Sequence, residues 1–202
     1  MAAKHPARMP SLPEQDWTPG AREIFAMVVP PDTPLKGWDF NSILLLAHHP
    51  ELAKGWLTFN EDLSKGWALP NRLLEIGILR VAWNRQMEYE WVHHMLLGER
   101  LGFDAAFYRA VQVGPDDPSW SDVERHVLVT AEQACHRQDI DDATWAGLAK
   151  HLDSKQMLEL MFGIGSYVML AWIFNSSGLE VEPPYREQAR ALGYPMLSNG
   201  EA

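Results

Sequence analysis

Residues 69–101 read LPNRLLEIGILRVAWNRQMEYEWVHHMLLGERL, and the fold turns on this stretch. It holds two helices' worth of chain, apolar almost all round, with a few ionisable side chains set into it. The first half places Arg72, Glu75 and Arg80 among Leu, Ile, Val and Trp83. A helix that is apolar on every side belongs in a protein's interior. The second half packs Glu88, Tyr89, Glu90, Trp91, His93 and His94 into seven residues. Carboxylates and imidazoles in such surroundings cost free energy unless paired or used. Pro70 suits the start of the first helix, which continues to about Asn84. Arg85-Gln86 is too short for a long loop, so the second helix, roughly Glu88 to Arg100, turns back against the first and closes at Gly102.

Working outward, the same signals recur. Thr18-Pro19 reads as an N-cap and first helical position, opening a helix to about Val28. Pro30-Pro31-Asp32-Thr33-Pro34 is a loop. Asp39 or Asn41 can cap a short helix through Leu46, and His48-His49-Pro50 breaks the chain before a helix from Glu51 to about Leu63. There Ser64-Lys65-Gly66 offers a glycine for a left-handed cap. Asp104 to Val113 follows, and Ser121 and Glu124 form a capping box for a helix to about His136. Asp141 to Leu152 and Asp153 to Asn175 come next, the last ended by Ser176-Ser177-Gly178. Pro183-Pro184 begins a tail with a helix near Arg186 to Leu192. No run alternates like a strand between hairpin turns. The class is all-α, with residues 1–17 as an extended arm, 18–180 as one helical domain and 181–202 as a tail.

At 202 residues the chain can bury a sizeable core. A net charge of −10, without a Lys/Arg cluster, argues against nucleic acid or an anionic membrane surface as partner. The single cysteine, Cys135, excludes an internal disulfide and any CxxC motif, which points to a reducing compartment. The N-terminus has no apolar signal-peptide core. The longest apolar run, Leu160 to Phe174, is 15 residues, short of the roughly 20 a membrane span needs. A cytoplasmic protein is expected.

Glu90 and His94 stand at i and i+4 and share a helix face. Met87, Glu90, His94, Leu97 and Leu101 form one stripe, expected to face inward. A carboxylate beside a histidine orients the ring and frees its other nitrogen for proton transfer. Glu75, set between Leu73-Leu74 and Ile76-Gly77-Ile78-Leu79, is expected to be buried. Paired with Arg72 it would stay ionised, and alone it would hold its proton. A structural ion pair is the competing explanation for both carboxylates. The set Glu75, Glu90 and His94 is the one place a metal could sit, although the expectation is no metal and no cofactor. His48-His49 suits a loop or a cap. The tryptophans are mainly core material, some of them free to line an aromatic-accepting pocket.

On these residues the chain resembles a known family. LPNRLLEIGILRVAW followed by EYEWVHH is similar to the carboxymuconolactone decarboxylase family, within the alkylhydroperoxidase D-like superfamily. The family pattern of a buried glutamate, a tyrosine-glutamate-tryptophan run and a histidine matches Glu75, Tyr89-Glu90-Trp91 and His94. The resemblance covers roughly residues 40–180. The hydroperoxidase branch carries Cys-x-x-Cys where this chain has Met87 and Glu90, so disulfide-based peroxide reduction is excluded there. Classical decarboxylases are shorter than this chain, which adds residues 1–60 and the Pro-rich tail.

The resemblance implies an all-helical bundle with an N-terminal helical extension, assembled as a homo-oligomer, commonly a trimer or hexamer. It also implies a cofactor-independent carbon–carbon lyase acting on a small carboxylated ring compound of aromatic catabolism. In that scheme His94 delivers the proton, Glu90 orients it and Glu75 is a second acid or relay. Arg72 or Arg80 clamps the substrate carboxylate, while Trp83, Met87 and Trp91 form apolar walls beside Tyr89 and His93. Non-catalytic small-molecule binding or assembly, and a metal-assisted lyase, are the alternatives.

Overall fold

Every regular element is helical in the computed structural model, which describes residues 7–28 and 40–197. After a 3-10 turn at Glu14–Asp16 come α1 (Pro19–Val28), α2 (Asn41–Leu46), α3 (Pro50–Lys65), α4 (Asn71–Asn84) and α5 (Glu88–Arg100). They are followed by α6 (Ala105–Val113), α7 (Asp122–His136), α8 (Asp142–Leu148), α9 (Ser154–Ser177) and α10 (Pro183–Ala191). The loop expected at Pro30–Pro34, the cap at Asp39, Trp38 and His5 lie outside the described residues.

Helix α4 is the hub, packed against α5, α6, α7 and α9. The reason is its sequence: Leu73, Ile76, Ile78, Leu79, Val81 and Ala82 are all buried, on every side of the helix. Gly77 lets α9 come close, since a Cβ there would stand 2.9 Å from Cγ1 of Ile164. The turn into α5 uses Arg85 and Gln86, as the short spacing demands, with Gln86 held at φ 53°. Met87 N–H closes the turn on the Ala82 carbonyl at 2.9 Å.

A second, smaller core joins Ala21, Ile24 and Phe25 of α1 to Ile43 of α2, Ala47 and Ala53 of α3. This three-helix layer is the N-terminal extension. It lies across the α4, α5 and α9 surface, and the space between the two becomes a cleft lined from α1, α2, α3, α4, α5 and α9. Met27, Val28, Ile43, Leu57 and Asn60, from the part of the chain whose role the sequence leaves open, therefore supply one wall of the cleft.

Most caps fall where the sequence places them. Ser121 with Glu124 and Asp153 with Gln156 are capping boxes, and Asp104 and Asp141 cap α6 and α8. His49 caps α3 by accepting the Leu52 N–H, while His48 bonds the Pro10 carbonyl at 2.9 Å. Three expectations fail. Gly66 sits at φ −127°, so the α3 terminus is not a left-handed cap. Helix α8 stops at Leu148 rather than Leu152. Asn41 is the first residue of α2 rather than its cap, a place Phe40 holds without a side-chain bond. Helix α9 spans Ser154–Ser177, within two residues of its expected bounds. By length and composition it could cross a membrane, yet half of its most apolar stretch is buried against other helices.

Candidate active site

The cleft begins with three side chains from three helices converging on one imidazole. Glu75 of α4 places Oε2 at 2.7 Å from His94 Nδ1. On the far side of the ring, Nε2 faces the Tyr167 hydroxyl of α9 at 2.9 Å and Glu90 Oε2 at 3.3 Å, one turn back on α5. Glu75, Glu90 and His94 are 6–8% exposed, as apolar neighbours on the same helices dictate. Burial alone favours the neutral ring, but the charge and hydrogen bond of Glu75, with those of Glu90, outweigh it. The His94 pKa is pushed up to about 10. His94 is therefore an imidazolium at neutral pH, donating from both nitrogens. Burial, then the charges of Glu90 and Glu75, holds the Tyr167 phenol well above its ordinary range, so it keeps its proton.

Two compartments open beside this cluster. The larger, about 430 Å³, is lined by Leu74, Glu75 and Ile78 of α4, His94 and Leu97 of α5, and Gly163 and Tyr167 of α9, with α1–α3 opposite. The smaller, about 180 Å³, is bounded by Phe40, Ser42, Trp56, Tyr89, Glu90 and His93, among others. Ile43, Leu57, Asn60 and Tyr167 line both, so the two are neighbours across a shared wall. Behind the smaller one lies Glu182, 3% exposed. It accepts from the Tyr89 hydroxyl at 3.1 Å and the Asn41 N–H at 2.5 Å, and it faces His93 Nε2 at 2.9 Å.

The helical fold is similar to that of AhpD-core structures. No family model and no curated protein matches the sequence, but solved structures do. An uncharacterized peroxidase-related protein from Ralstonia eutropha JMP134, described as an alkylhydroperoxidase AhpD core, superposes with a TM-score of 0.71 at 18% identity. That match covers 92% of this chain and 98% of the other. A protein of unknown function from Agrobacterium tumefaciens, described as a putative antioxidant defence protein AhpD, gives 0.63 at 14% identity over 68% and 94% of the two chains. At these identities the likeness is one of fold.

Glu75, Glu90 and His94, expected as a trio, come together, with Glu75 rather than Glu90 at Nδ1 and Glu90 at Nε2. Glu75 is not paired with Arg72, which bonds Glu124 of α7 at 2.6 Å. Tyr89 and His93 line the smaller compartment as expected of substrate contacts.

The other expected contacts line neither compartment. Arg80, about 140° round α4 from Glu75, points to α6 and α7. There it bonds Glu132 and the carbonyls of Val111 and Gln112. No arginine or lysine lines either compartment among the described residues. Met87 and Trp91 are wholly buried in the core, with the Trp91 N–H bonded to the Pro195 carbonyl at 3.0 Å, and Trp83 packs on Trp91. The inward stripe of α5 also ends early, since Leu97 and Leu101 are 41% and 44% exposed. Trp145 and Trp172 are exposed rather than core.

Sequence reasoning missed Tyr167, Glu182 and Ser42. Tyr167 was hidden as one hydroxyl in an apolar run. Glu182 had one available signal, an acid directly before Pro183-Pro184 and so at a helix start. Among the described residues no group of three His, Cys, Asp or Glu is placed to hold a metal ion.

Proposed function

We propose that the protein is a cofactor-independent lyase that handles a proton at a carbon next to a carbonyl, on a small ring or aromatic-derived compound. The observation that carries this is the His94 ring, clamped at Nδ1 by Glu75 and facing Tyr167 and Glu90 at the cleft wall. As the bond to the departing fragment breaks, its electron pair stays on carbon and spreads onto the carbonyl oxygen. The Tyr167 O–H donates to that oxygen as charge develops there. His94 passes its Nε2 proton to the carbon. The fragment leaves as carbon dioxide, the imidazole then regaining a proton from water, or as an aldehyde whose hydroxyl proton Glu90 takes and returns to His94. Buried and preorganised donors of this kind act at full strength because little water competes with them.

Carboxymuconolactone decarboxylase chemistry is one member of this class, and elimination or carbon–carbon cleavage of an uncharged substrate is another. The decarboxylation of a carboxylate calls for a cation beside it, a role for which neither Arg72 nor Arg80 is placed. The reading also includes self-assembly in the cytoplasm. Leu158, Phe162, Met169 and Trp172 are exposed on α9 at spacings of four, seven and three, close to the heptad pattern of a helix seam.

Incubation in D₂O with cyclic keto acids, lactones and β-hydroxyketones, followed by NMR, reads carbon protonation directly as deuterium incorporated. The full-length protein is expected to promote it. His94→Ala and Glu90→Gln are expected to lose it by orders of magnitude while keeping their helical circular dichroism. Full activity in both variants, or ligand binding with no turnover in the unaltered protein, overturns the proposal.

A further inference from the structure

We infer that the smaller compartment is a hydroxyl-recognising subsite, which takes a ring compound by its hydroxyl group and not by a carboxylate. The inference rests on the cleft being the substrate site of the proposed lyase, and it follows from the direction of a chain of hydrogen bonds. Glu182 is buried and, as a carboxylate, can only accept. Its partners must therefore donate: the Asn41 N–H at 2.5 Å, the Tyr89 hydroxyl at 3.1 Å and His93 Nε2 at 2.9 Å. With its proton committed to Glu182, the Tyr89 oxygen is an acceptor for its other neighbours. It takes the Ser42 N–H at 3.3 Å and the Ser42 hydroxyl at 2.9 Å.

The Ser42 proton is thereby spent as well, and what Ser42 can still offer is lone pairs. Glu90, on the same compartment wall, is a carboxylate and again an acceptor. Tyr167 and Asn60 add donors on the wall shared with the larger compartment, so the group that fits best is one that donates and accepts without charge, a hydroxyl. Phe40, Trp56 and Phe174 supply flat apolar surface around it, which suits a ring.

Charge points the same way. Glu90 lines the smaller compartment, and no lysine or arginine does so among the described residues. Both N–H groups of His94 are already engaged. A carboxylate entering the smaller compartment would meet Glu90 and the Ser42 lone pairs, while the nearby cation, His94, is already held between Glu75 and Glu90.

The test compares three probes on the full-length protein: benzyl alcohol, benzyl methyl ether and benzoate. They share a ring and differ in carrying a donor, no donor, or a negative charge. Binding is read by NMR at the Trp56 indole. The alcohol is expected to bind roughly tenfold more tightly than the ether or benzoate, since a site built for a hydroxyl leaves its acceptors unpaired without one. Ser42→Ala is expected to shrink the alcohol-to-ether ratio toward unity. The three-probe comparison on the unaltered protein decides the matter even if that variant folds poorly. Ether bound as tightly as the alcohol, benzoate bound at least as tightly, or no probe reaching Trp56 overturns the inference. Any of these outcomes with His94-dependent deuteration intact removes the hydroxyl subsite and leaves the lyase proposal standing.

Discussion

Oε2 of Glu75 lies 2.7 Å from Nδ1 of His94, on the neighbouring helix and 19 residues further along the chain. This contact ties α4 to α5 in the floor of the cleft, and it sets the charge of everything around it.

It also makes stability depend on pH. The folded-state pKa of His94, about 10, lies above the roughly 6.5 of a free imidazole. The pair's contribution is therefore complete below pH 6.5 and is lost as pH rises through about 10. Glu75→Gln removes one partner of a buried ion pair and is expected to destabilise by roughly 3–5 kcal/mol at pH 6. Urea unfolding of both proteins should show that gap closing between pH 7 and pH 10. Parallel curves across that range would mean the pair holds no extra proton.

Arg80 offers a test of opposite sign for the site. Its guanidinium is 9% exposed and reaches Glu132 and two backbone carbonyls, well away from both compartments. Arg80→Met is expected to lower stability by about 3 kcal/mol, because Glu132 and the carbonyls lose their donors. The turnover of the molecules that remain folded should be unchanged at low temperature. A rise in KM for a substrate at full stability would restore Arg80 as a substrate contact.

Residues 69–101 disclosed as much as they did because their periodicity and burial are local properties. Glu75, Glu90 and His94 are polar exceptions on apolar helices, and one spacing rule links two of them. The partners that complete the site come from far along the chain. Tyr167 is 73 residues from His94, and Glu182 is 89 from His93. No local pattern marks a hydroxyl inside an apolar run or an acid at the head of what reads as a tail. The arginines misled for a related reason. Proximity in sequence to Glu75 carries no information about the acids of α7, Glu124 and Glu132, which claim Arg72 and Arg80 in the fold.

The contact of α4 with α9 is testable at Gly77, where an added Cβ would crowd Cγ1 and Cδ1 of Ile164 at 2.9 and 3.1 Å. Alanine there gains helix propensity of about 1 kcal/mol, which partly offsets the crowding. Gly77→Val adds two further methyl groups to a packed seam and loses most of that gain. It is expected to cost about 1–3 kcal/mol, read as a fall in Tm. Because Tyr167 lies one turn beyond Ile164, deuteration should fall with it. A Gly77→Val protein as stable as the parent would mean that α9 can shift freely on α4.

Tyr167 separates catalysis from architecture most cleanly. Its hydroxyl is 2.9 Å from His94 Nε2, and its ring meets the imidazole edge-on at 5.0 Å. His94 donates to that oxygen, so the phenol's own proton is free to point into the cleft, where the tyrosine lines both compartments. Burial and the two carboxylates keep it protonated. It is thus a donor aimed at developing negative charge on a substrate oxygen. Tyr167→Phe keeps the ring and its packing and removes only that donor. Loss of one such donor is expected to lower kcat by about 10²–10³, with KM moving far less, because the bond strengthens as charge builds on the oxygen. The measurement is the deuteration rate at saturating substrate beside an unfolding curve. A kcat within a few-fold of the parent would leave Tyr167 as a strut for His94, and the oxygen's charge would then need another donor.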